Sequence, residues 1–170
     1  MARTLMLDAK PTGFLSWDYH VYEGEREVAF LDVGLLLEGA DLDIGGIPFR
    51  LSREGVAGDY TLAFEGIVIA RATKRSIFTG TFDVVLDAPL ADTDTTRLLV
   101  KRKSLVSDRF EVFAQGDVPD DPGVRLGVVR KRNMLTRRAS VDLPDTFPLG
   151  VQVFLLWLAV LMWRRGNRSS

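Results

Sequence analysis

The chain has 170 residues, of which 46% are hydrophobic and 26% are charged, so it can bury the core of one ordinary domain and is not typical of a disordered protein. It has no cysteine, which excludes disulfides, thiolate nucleophiles and cysteine-ligated zinc. A single histidine, His20, excludes a multi-histidine metal site, and the net charge of −1 gives the chain as a whole no attraction for nucleic acid.

Charge is divided unevenly along the chain. Residues 1–66 carry 5 Lys and Arg against 12 Asp and Glu, a net −7, whereas residues 67–170 carry 17 against 11, a net +6. This asymmetry predicts a folded molecule with an acidic side and a basic side. Two interpretations stay open: solvated faces that aid solubility, or a basic patch that faces an anionic partner.

From the N-terminus to Pro144 the chain is rich in short β-type segments separated by turn residues. The first eight residues have too short an apolar core for a signal peptide, so we expect none. Apolar spacing of three and four is never sustained, so no helix of normal length is predicted in this region. The candidate strands are 3–8, 14–22, 27–33, 35–38, 41–44, 48–52, 60–65, 67–74, 80–86, 97–104, 109–115 and 124–132. A further extended piece at 136–143 can replace one of the weaker candidates.

The segment Pro148–Arg165 has a different character. Between residues 149 and 163 only Gly150 and Gln152 interrupt an apolar run. Arg164 and Arg165 follow this run, at the end of a helix where the negative end of the dipole favours cations. We therefore predict a helix over about 148–165.

Residues around this run are typical of helix ends. Asp145 and Thr146 offer acceptors for the N–H groups of a first turn. Pro148 suits the first helical position, and Gly166 suits the terminating position.

A helix that is apolar on every side must be buried on every side, in a bilayer or inside a protein. The apolar run of 15 residues is about 22 Å long at about 1.5 Å per residue. A bilayer core of about 30 Å usually takes about 20 residues. The length therefore favours a buried core helix over a tail anchor, which stays open as the alternative.

The size of a barrel made from the predicted strands matches the space that the predicted helix would fill. Twelve strands about 4.8 Å apart, tilted by about 40°, close into a barrel with a radius of roughly 12 Å. A helix with its side chains occupies about 5–6 Å of that radius, and one layer of inward strand side chains fills the rest. We predict a mainly β fold with a single domain over residues 1–170: a closed, roughly twelve-stranded antiparallel barrel around a buried hydrophobic C-terminal helix.

The end of the chain resembles the C-terminal end of the tubby C-terminal-like superfamily, which includes tubby-like proteins, phospholipid scramblases and LURP-one-related proteins. The segments that carry the resemblance are Asp142-Leu143-Pro144, Phe147-Pro148-Leu149, the run from Gln152 to Leu158, and Trp163-Arg164-Arg165. Upstream, the similar segments are Phe14 to Asp32 as paired opening strands, Gly58 to Leu62, and Ile69 to Ala72. The resemblance implies a closed twelve-stranded barrel around a hydrophobic helix. Tubby-like proteins bind phosphoinositides through basic barrel residues, so the resemblance favours an anionic, phosphorylated ligand without implying which one.

Standard catalytic and metal motifs are absent from the sequence. His20 has no nucleophile motif around it, and no G-x-S-x-G occurs. The alternating acids at 41–43 and 92–94 do not continue into a calcium-binding loop, although scramblase-like proteins are associated with calcium. We expect no enzymatic activity by a standard route, no metal and no cofactor.

Basic residues at the ends of predicted strands are the better candidates for a site. Strand alternation places Lys101 and Lys103 on one face of their strand, and Arg130 and Arg132 on one face of theirs. Together they could hold a phosphorylated head group by charge-assisted hydrogen bonds, or rest on an anionic membrane. The alternative is that they pair with acids such as Asp108 and Glu111 on neighbouring strands. The candidate anion-binding residues are Lys101, Lys103, Arg130, Arg132, Arg137 and Arg138.

The sequence therefore predicts a non-enzymatic binding module whose ligand is an anionic phospholipid or another phosphorylated group. We expect a cytoplasmic location, peripheral to a membrane, with an anionic lipid or membrane surface as partner and no nucleic acid. Three alternatives stay open: a tail-anchored membrane protein with a cytosolic β-domain, a scramblase-like protein, and an enzyme with an unfamiliar site.

Overall fold

The computed structural model describes residues 3–34, 38–55, 58–76, 79–87, 95–104, 107–116, 121–133 and 135–168. Twelve strands precede one helix. The strands are β1 (Thr4–Pro11), β2 (Tyr19–Glu23), β3 (Arg26–Val33), β4 (Ala40–Ile44), β5 (Ile47–Glu54), β6 (Asp59–Phe64), β7 (Ile67–Lys74), β8 (Thr81–Leu86), β9 (Arg97–Arg102), β10 (Arg109–Ala114), β11 (Arg125–Lys131) and β12 (Ala139–Pro144), and the helix is α1 (Leu149–Arg168).

The strands form a closed barrel in which each strand pairs antiparallel with its neighbours in sequence. The barrel closes between the first and last strands: Leu7 of β1 lies opposite Val141 of β12 on one side and opposite Glu23 of β2 on the other. The predicted closed antiparallel barrel of about twelve strands is confirmed.

Alternation of side chains makes the inside of the barrel apolar. In β8, Phe82, Val84 and Leu86 are buried, whereas Asp83 and Val85 between them are not. This is the two-residue period of a strand with one face toward a core.

The helix α1 lies inside the barrel, as predicted. Residues 150–163 are all buried. The Trp157 ring meets Tyr60 of β6 edge-on at 5.7 Å, and Trp163 meets Phe110 of β10 at 6.3 Å between ring centroids. The stretch Leu149–Gly166 is long and apolar enough to cross a membrane, with a mean hydropathy of 1.3, but 83% of it is buried within the protein. Enclosure by the strands accounts for a helix that is apolar on every side.

The helix boundaries differ from the predicted 148–165. Pro148 does not occupy the first helical position. Its carbonyl instead accepts hydrogen bonds from the N–H groups of Val151 (3.0 Å) and Gln152 (3.1 Å), so it caps a helix that begins at the next residue. At the other end the helix passes through Gly166 and ends at Arg168. The free-energy cost of a glycine within a helix is about 1 kcal/mol. That cost is too small to end a helix whose other residues are stabilised by packing.

Two predicted strands also need correction. Of the predicted strand 35–38, residues 35–37 lie outside the described residues and Glu38 lies in a bend before β4. The extended piece at 136–143 supplies the twelfth strand instead, as β12. The predicted strand 14–22 begins only at Tyr19, because residues 12–18 form a connection closed by a 3.0 Å hydrogen bond from the Thr12 N–H to the Asp18 carbonyl.

Candidate anion-binding site

The two ends of the barrel carry different charges. We call one the basic end; its connections are 12–18, 34–39, 55–58, 75–80, 103–108 and 132–138. The C-terminal end of α1 reaches it, since Arg165 donates to Glu38 there. The described acids in these connections are Asp18, Glu38 and Asp108. The described basic residues of the connections and of the helix end are Arg75, Lys103, Arg132, Arg137, Arg138, Arg164 and Arg165.

The opposite end, which we call the acidic end, has the connections 24–25, 45–46, 65–66, 87–96, 115–124 and 145–148. Wherever these connections are described, they contain no lysine or arginine. Their described acids are Glu25, Glu65, Asp87, Asp121 and Asp145, all of them exposed. The charges of the described connections are therefore separated along the barrel axis. The positive N-terminus of α1 lies at the acidic end and its negative C-terminus at the basic end, a favourable arrangement for the helix dipole.

A cleft of about 400 Å³ opens at the basic end beside the seam between β1 and β12. Its cations are Lys10, Arg132 and Arg138, and Asn133 and Thr136 add polar groups to its lining. The Arg132 backbone N–H donates to the Arg138 carbonyl at 2.7 Å, and this hydrogen bond places both arginines at the opening of the cleft. The structure thus joins two of the six predicted residues with a lysine from the first strand.

The three cations of the cleft differ in how firmly they are engaged. Arg132 pairs with Asp8, which also lines the cleft, at 2.5 Å. Lys10 and Arg138 are exposed and make no ion pair with any described residue; the Lys10 ammonium lies 4.4 Å from the centre of the Tyr22 ring. Lys10 and Arg138 are therefore available to an incoming anion.

Two other predicted residues, Arg130 and Arg137, contact neighbouring residues of the protein. Arg130 lies on the barrel wall, 3.9 Å from the Asp142 carboxylate and 3.4 Å from the Ser140 hydroxyl. Arg137 lies over the Trp17 ring at 4.5 Å and donates to the Ser16 carbonyl at 3.4 Å. These contacts support the alternative interpretation, pairing within the protein, for these two arginines.

The last two predicted residues, Lys101 and Lys103, lie on another part of the barrel. They are exposed, and neither makes an ion pair within the described part of the chain. Lys101 lies in β9 and Lys103 in the connection that follows it, and strands β10 and β11 separate β9 from the seam beside the cleft. The acids suggested as their partners pair elsewhere: Asp108 with Lys131 at 3.4 Å, and Glu111 with two arginines, Arg109 (3.7 Å) and Arg125 (3.6 Å).

Lys10 was not predicted as a site residue. No local motif surrounds it, and it is remote in sequence from the arginines it joins. The only available signal was the closure of the barrel, which sets Ala9 opposite Ala139 and so brings the end of β1 next to the connection 132–138.

A second group of charges at the basic end fixes the end of the helix. Arg165 donates to Glu38 (2.5 Å) and to the Tyr60 hydroxyl (2.8 Å), and Arg53 also pairs with Glu38. Burial alone would raise the pKa of Glu38, but the hydrogen bonds from Arg165 and Arg53 outweigh it and lower that pKa. Burial and the charges of Arg165 and Arg53 lower the pKa of Lys74 nearby.

The residues considered for catalysis or metal binding have structural contacts. His20 contacts the Glu27 carboxylate at 2.7 Å on the outside of the barrel. Asp41 pairs with Arg50 at 2.5 Å, and Asp43 accepts the Gly46 N–H at 2.9 Å. The acids at 92–94 lie outside the described residues. Within the described ranges, no three His, Asp or Glu side chains are grouped so that they could hold a metal ion.

Comparisons of the chain with protein-family models, with curated proteins and with solved structures found no match. The resemblance to the tubby C-terminal-like superfamily therefore stays a prediction, while the plugged barrel that it implied is the fold of this chain.

Proposed function

We propose that this protein is a non-enzymatic module that binds a phosphorylated, anionic group at the basic end of its barrel. The observation that carries the proposal is the cleft, in which Lys10 and Arg138, both exposed and without an ion pair among the described residues, accompany Arg132. Cations without an acidic partner can neutralise a ligand without first breaking an ion pair.

The size and lining of the cleft suit a head group better than a large apolar ligand. Its volume of about 400 Å³ lies in the lower range of ligand pockets. Asn133 uses its amide oxygen to accept the N–H groups of Leu135 (2.9 Å) and Thr136 (3.4 Å), so its amide NH₂ is left to donate outward. Two cations, an amide donor and the Thr136 hydroxyl are the groups that recognise phosphate oxygens.

The same residues would also attract an anionic lipid surface, where each Lys or Arg contributes about 1 kcal/mol. The resemblance to tubby-like proteins, which bind phosphoinositides, supports the same class of ligand. A location at the cytoplasmic face of a membrane, where anionic lipids are concentrated, follows from this proposal.

Neutralising the two unpaired cations tests the proposal. We expect the double substitution Lys10→Gln and Arg138→Gln to weaken partition onto phosphatidylserine-containing vesicles roughly thirtyfold, at about 1 kcal/mol per charge. Flotation of the full chain with vesicles of phosphatidylcholine, with and without phosphatidylserine, measures the change. Arg97→Gln is the matched control, because Arg97 is exposed, unpaired among the described residues and located toward the acidic end.

A parallel titration with inorganic phosphate, followed by calorimetry, separates a soluble anion from a lipid surface as the ligand. The proposal fails if the chain binds neither anionic vesicles nor phosphate, or if Arg97→Gln weakens binding as much as the double substitution does.

A further inference from the structure

Three large apolar side chains protrude from the basic end. The exposed fraction is 82% for Phe14, 76% for Leu15 and 82% for Leu135. Phe14 and Leu15 are adjacent in the connection between β1 and β2, and Leu135 lies in the connection between β11 and β12. We call these three residues the apolar tips.

Hydrogen-bonded turns hold the apolar tips outward. The Ser16 N–H donates to the Gly13 carbonyl at 3.2 Å, across Phe14 and Leu15. The Leu135 N–H donates to the Asn133 side chain at 2.9 Å. These side chains are therefore exposed on formed turns. Large apolar groups clustered in that way are typical of an interaction surface.

The two connections that carry the apolar tips touch each other, and the second of them lines the cleft. Arg137 of the second connection lies over Trp17 of the first at 4.5 Å and donates to the Ser16 carbonyl at 3.4 Å. The Tyr19 hydroxyl donates back to the Arg137 carbonyl at 3.2 Å. Lys10 lies in β1, two residues before the first connection, and Arg138 is the last residue of the second.

We propose that the basic end docks on an anionic bilayer, with the apolar tips inserted below the head groups and Lys10, Arg132 and Arg138 in contact with the phosphates. This inference rests on the proposed function and deepens it, because it commits the ligand to a membrane surface and not to a soluble anion. Apolar groups surrounded by cations match an anionic lipid interface, whose surface is negative and whose interior is hydrocarbon. Phosphate alone would gain nothing from the apolar tips.

The acidic end provides a control within the same molecule. Ile67 and Val124 are also exposed there, at 64% and 72%. Acids lie close to both: Glu65 in the connection before Ile67, and Asp121 in the connection that contains Val124. An anionic membrane repels that end. The barrel should therefore stand on its basic end, with the C-terminus of α1 toward the lipid.

Polar replacement of the apolar tips is the first test. The full chain with Phe14→Ser, Leu15→Ser and Leu135→Ser is compared with the wild type and with Ile67→Ser and Val124→Ser, by flotation with vesicles of phosphatidylcholine and phosphatidylserine. At low salt the cations still attract the tip variant. In about 0.5 M salt, where exposed charges are screened, we expect the tip variant to bind at least about tenfold more weakly than the wild type. The control variant should match the wild type, and all three proteins should unfold at the same temperature.

Fluorescence depth measurement is the second test and is independent of affinity. Tryptophan is placed at the apolar tips by Phe14→Trp and at the acidic end by Ile67→Trp. On vesicles that contain brominated phospholipid we expect the added emission to shift to the blue and to be quenched for Phe14→Trp, and to be unchanged for Ile67→Trp.

The outcomes separate the two proposals. Vesicle binding that is lost with Lys10→Gln and Arg138→Gln but survives the serine substitutions, without quenching at position 14, overturns insertion and leaves anion binding intact. Phosphate binding without vesicle binding also overturns insertion alone. If the wild type binds neither vesicles nor phosphate, both proposals fail.

Discussion

At the scale of single residues, Glu38 connects the end of the helix to the rim of the barrel. It accepts from Arg165 of α1 and from Arg53 of β5, and Arg165 also reaches the Tyr60 hydroxyl of β6. Removing the carboxylate would take away the negative charge that two partly buried arginines share, which costs more than the pair itself contributes.

The lowered pKa of Glu38 predicts a dependence of stability on pH. A carboxyl whose pKa is lower in the folded state contributes stability above its unfolded value, here 4.5, and loses it as the pH falls through the folded value. We expect the free energy of unfolding to fall more steeply below pH 4.5 in the wild type than in Glu38→Gln, and Glu38→Gln to be less stable at pH 7. Urea denaturation across this range measures both, and parallel curves for the two proteins would contradict the prediction.

Gly127 allows two backbones to approach closely. A Cβ at this position in β11 would lie 1.9 Å from the Asp142 carbonyl oxygen of β12. Backbone atoms cannot yield as a flexible side chain can. Gly127→Ala is expected to lower the free energy of unfolding by about 1–3 kcal/mol, as overpacking does. Gly13→Ala is the control, since a Cβ there meets nothing within 4 Å, and it should change stability by less than about 0.5 kcal/mol.

At the scale of elements, the helix fills the interior that the strands enclose. Trp157 is fully buried at its centre, between Phe154 of the same helix and Tyr60 of the wall. Aromatic rings contact the Trp157 indole on two sides, so removing the indole would leave a large cavity.

Trp157→Ala should destabilise the protein by about 3–5 kcal/mol, through lost burial and the cavity left behind. Chemical denaturation measures it. Ile67→Ala, at an exposed position, should change the stability by less than about 0.5 kcal/mol. A small effect of Trp157→Ala would mean that the barrel is not packed around the helix as described.

The sequence was sufficient to predict the helix and the barrel because both follow from composition over a long stretch. An apolar run of 15 residues is shorter than the roughly 20 that a bilayer usually takes, which favoured burial inside the protein, and the short strands could enclose it. Strand limits were less predictable. Phe14 and Leu15 were predicted in a strand, yet they lie in a turn closed by the hydrogen bond from the Ser16 N–H to the Gly13 carbonyl. The same connection is tied to a distant residue, since the Asp18 carboxylate accepts the Val33 N–H at 2.8 Å.

The candidate site was only partly predictable for the same reason. Arg132 ends a predicted strand, Arg138 follows it, and the two meet in the cleft. Their neighbour Lys10 comes from the other end of the chain, brought there by barrel closure. Arg130 and Arg137 are equally basic in the sequence, but their engagement with Asp142 and Trp17 depends on strand register. Composition indicates that cations are available, and only the fold decides which of them are unpaired.

At the scale of the whole molecule, the strands cover the surface of the helix that resembles a membrane segment. We expect the full chain to be recovered without detergent and to unfold in one cooperative transition, because helix and barrel share a single core. Extraction that requires detergent, or separate unfolding of helix and strands by circular dichroism, would instead favour the tail-anchored alternative.

Closure of the barrel between its first and last strands has a consequence for how the chain reaches its native state. Thr4 pairs with Pro144, so the seam forms only after the chain has been synthesised as far as Pro144. Contacts between such distant residues slow the search for the native topology. Until the seam forms, β1 presents an unpaired edge and the apolar helix has no complete enclosure. The period before closure is therefore when this protein is most vulnerable to aggregation and most dependent on chaperones.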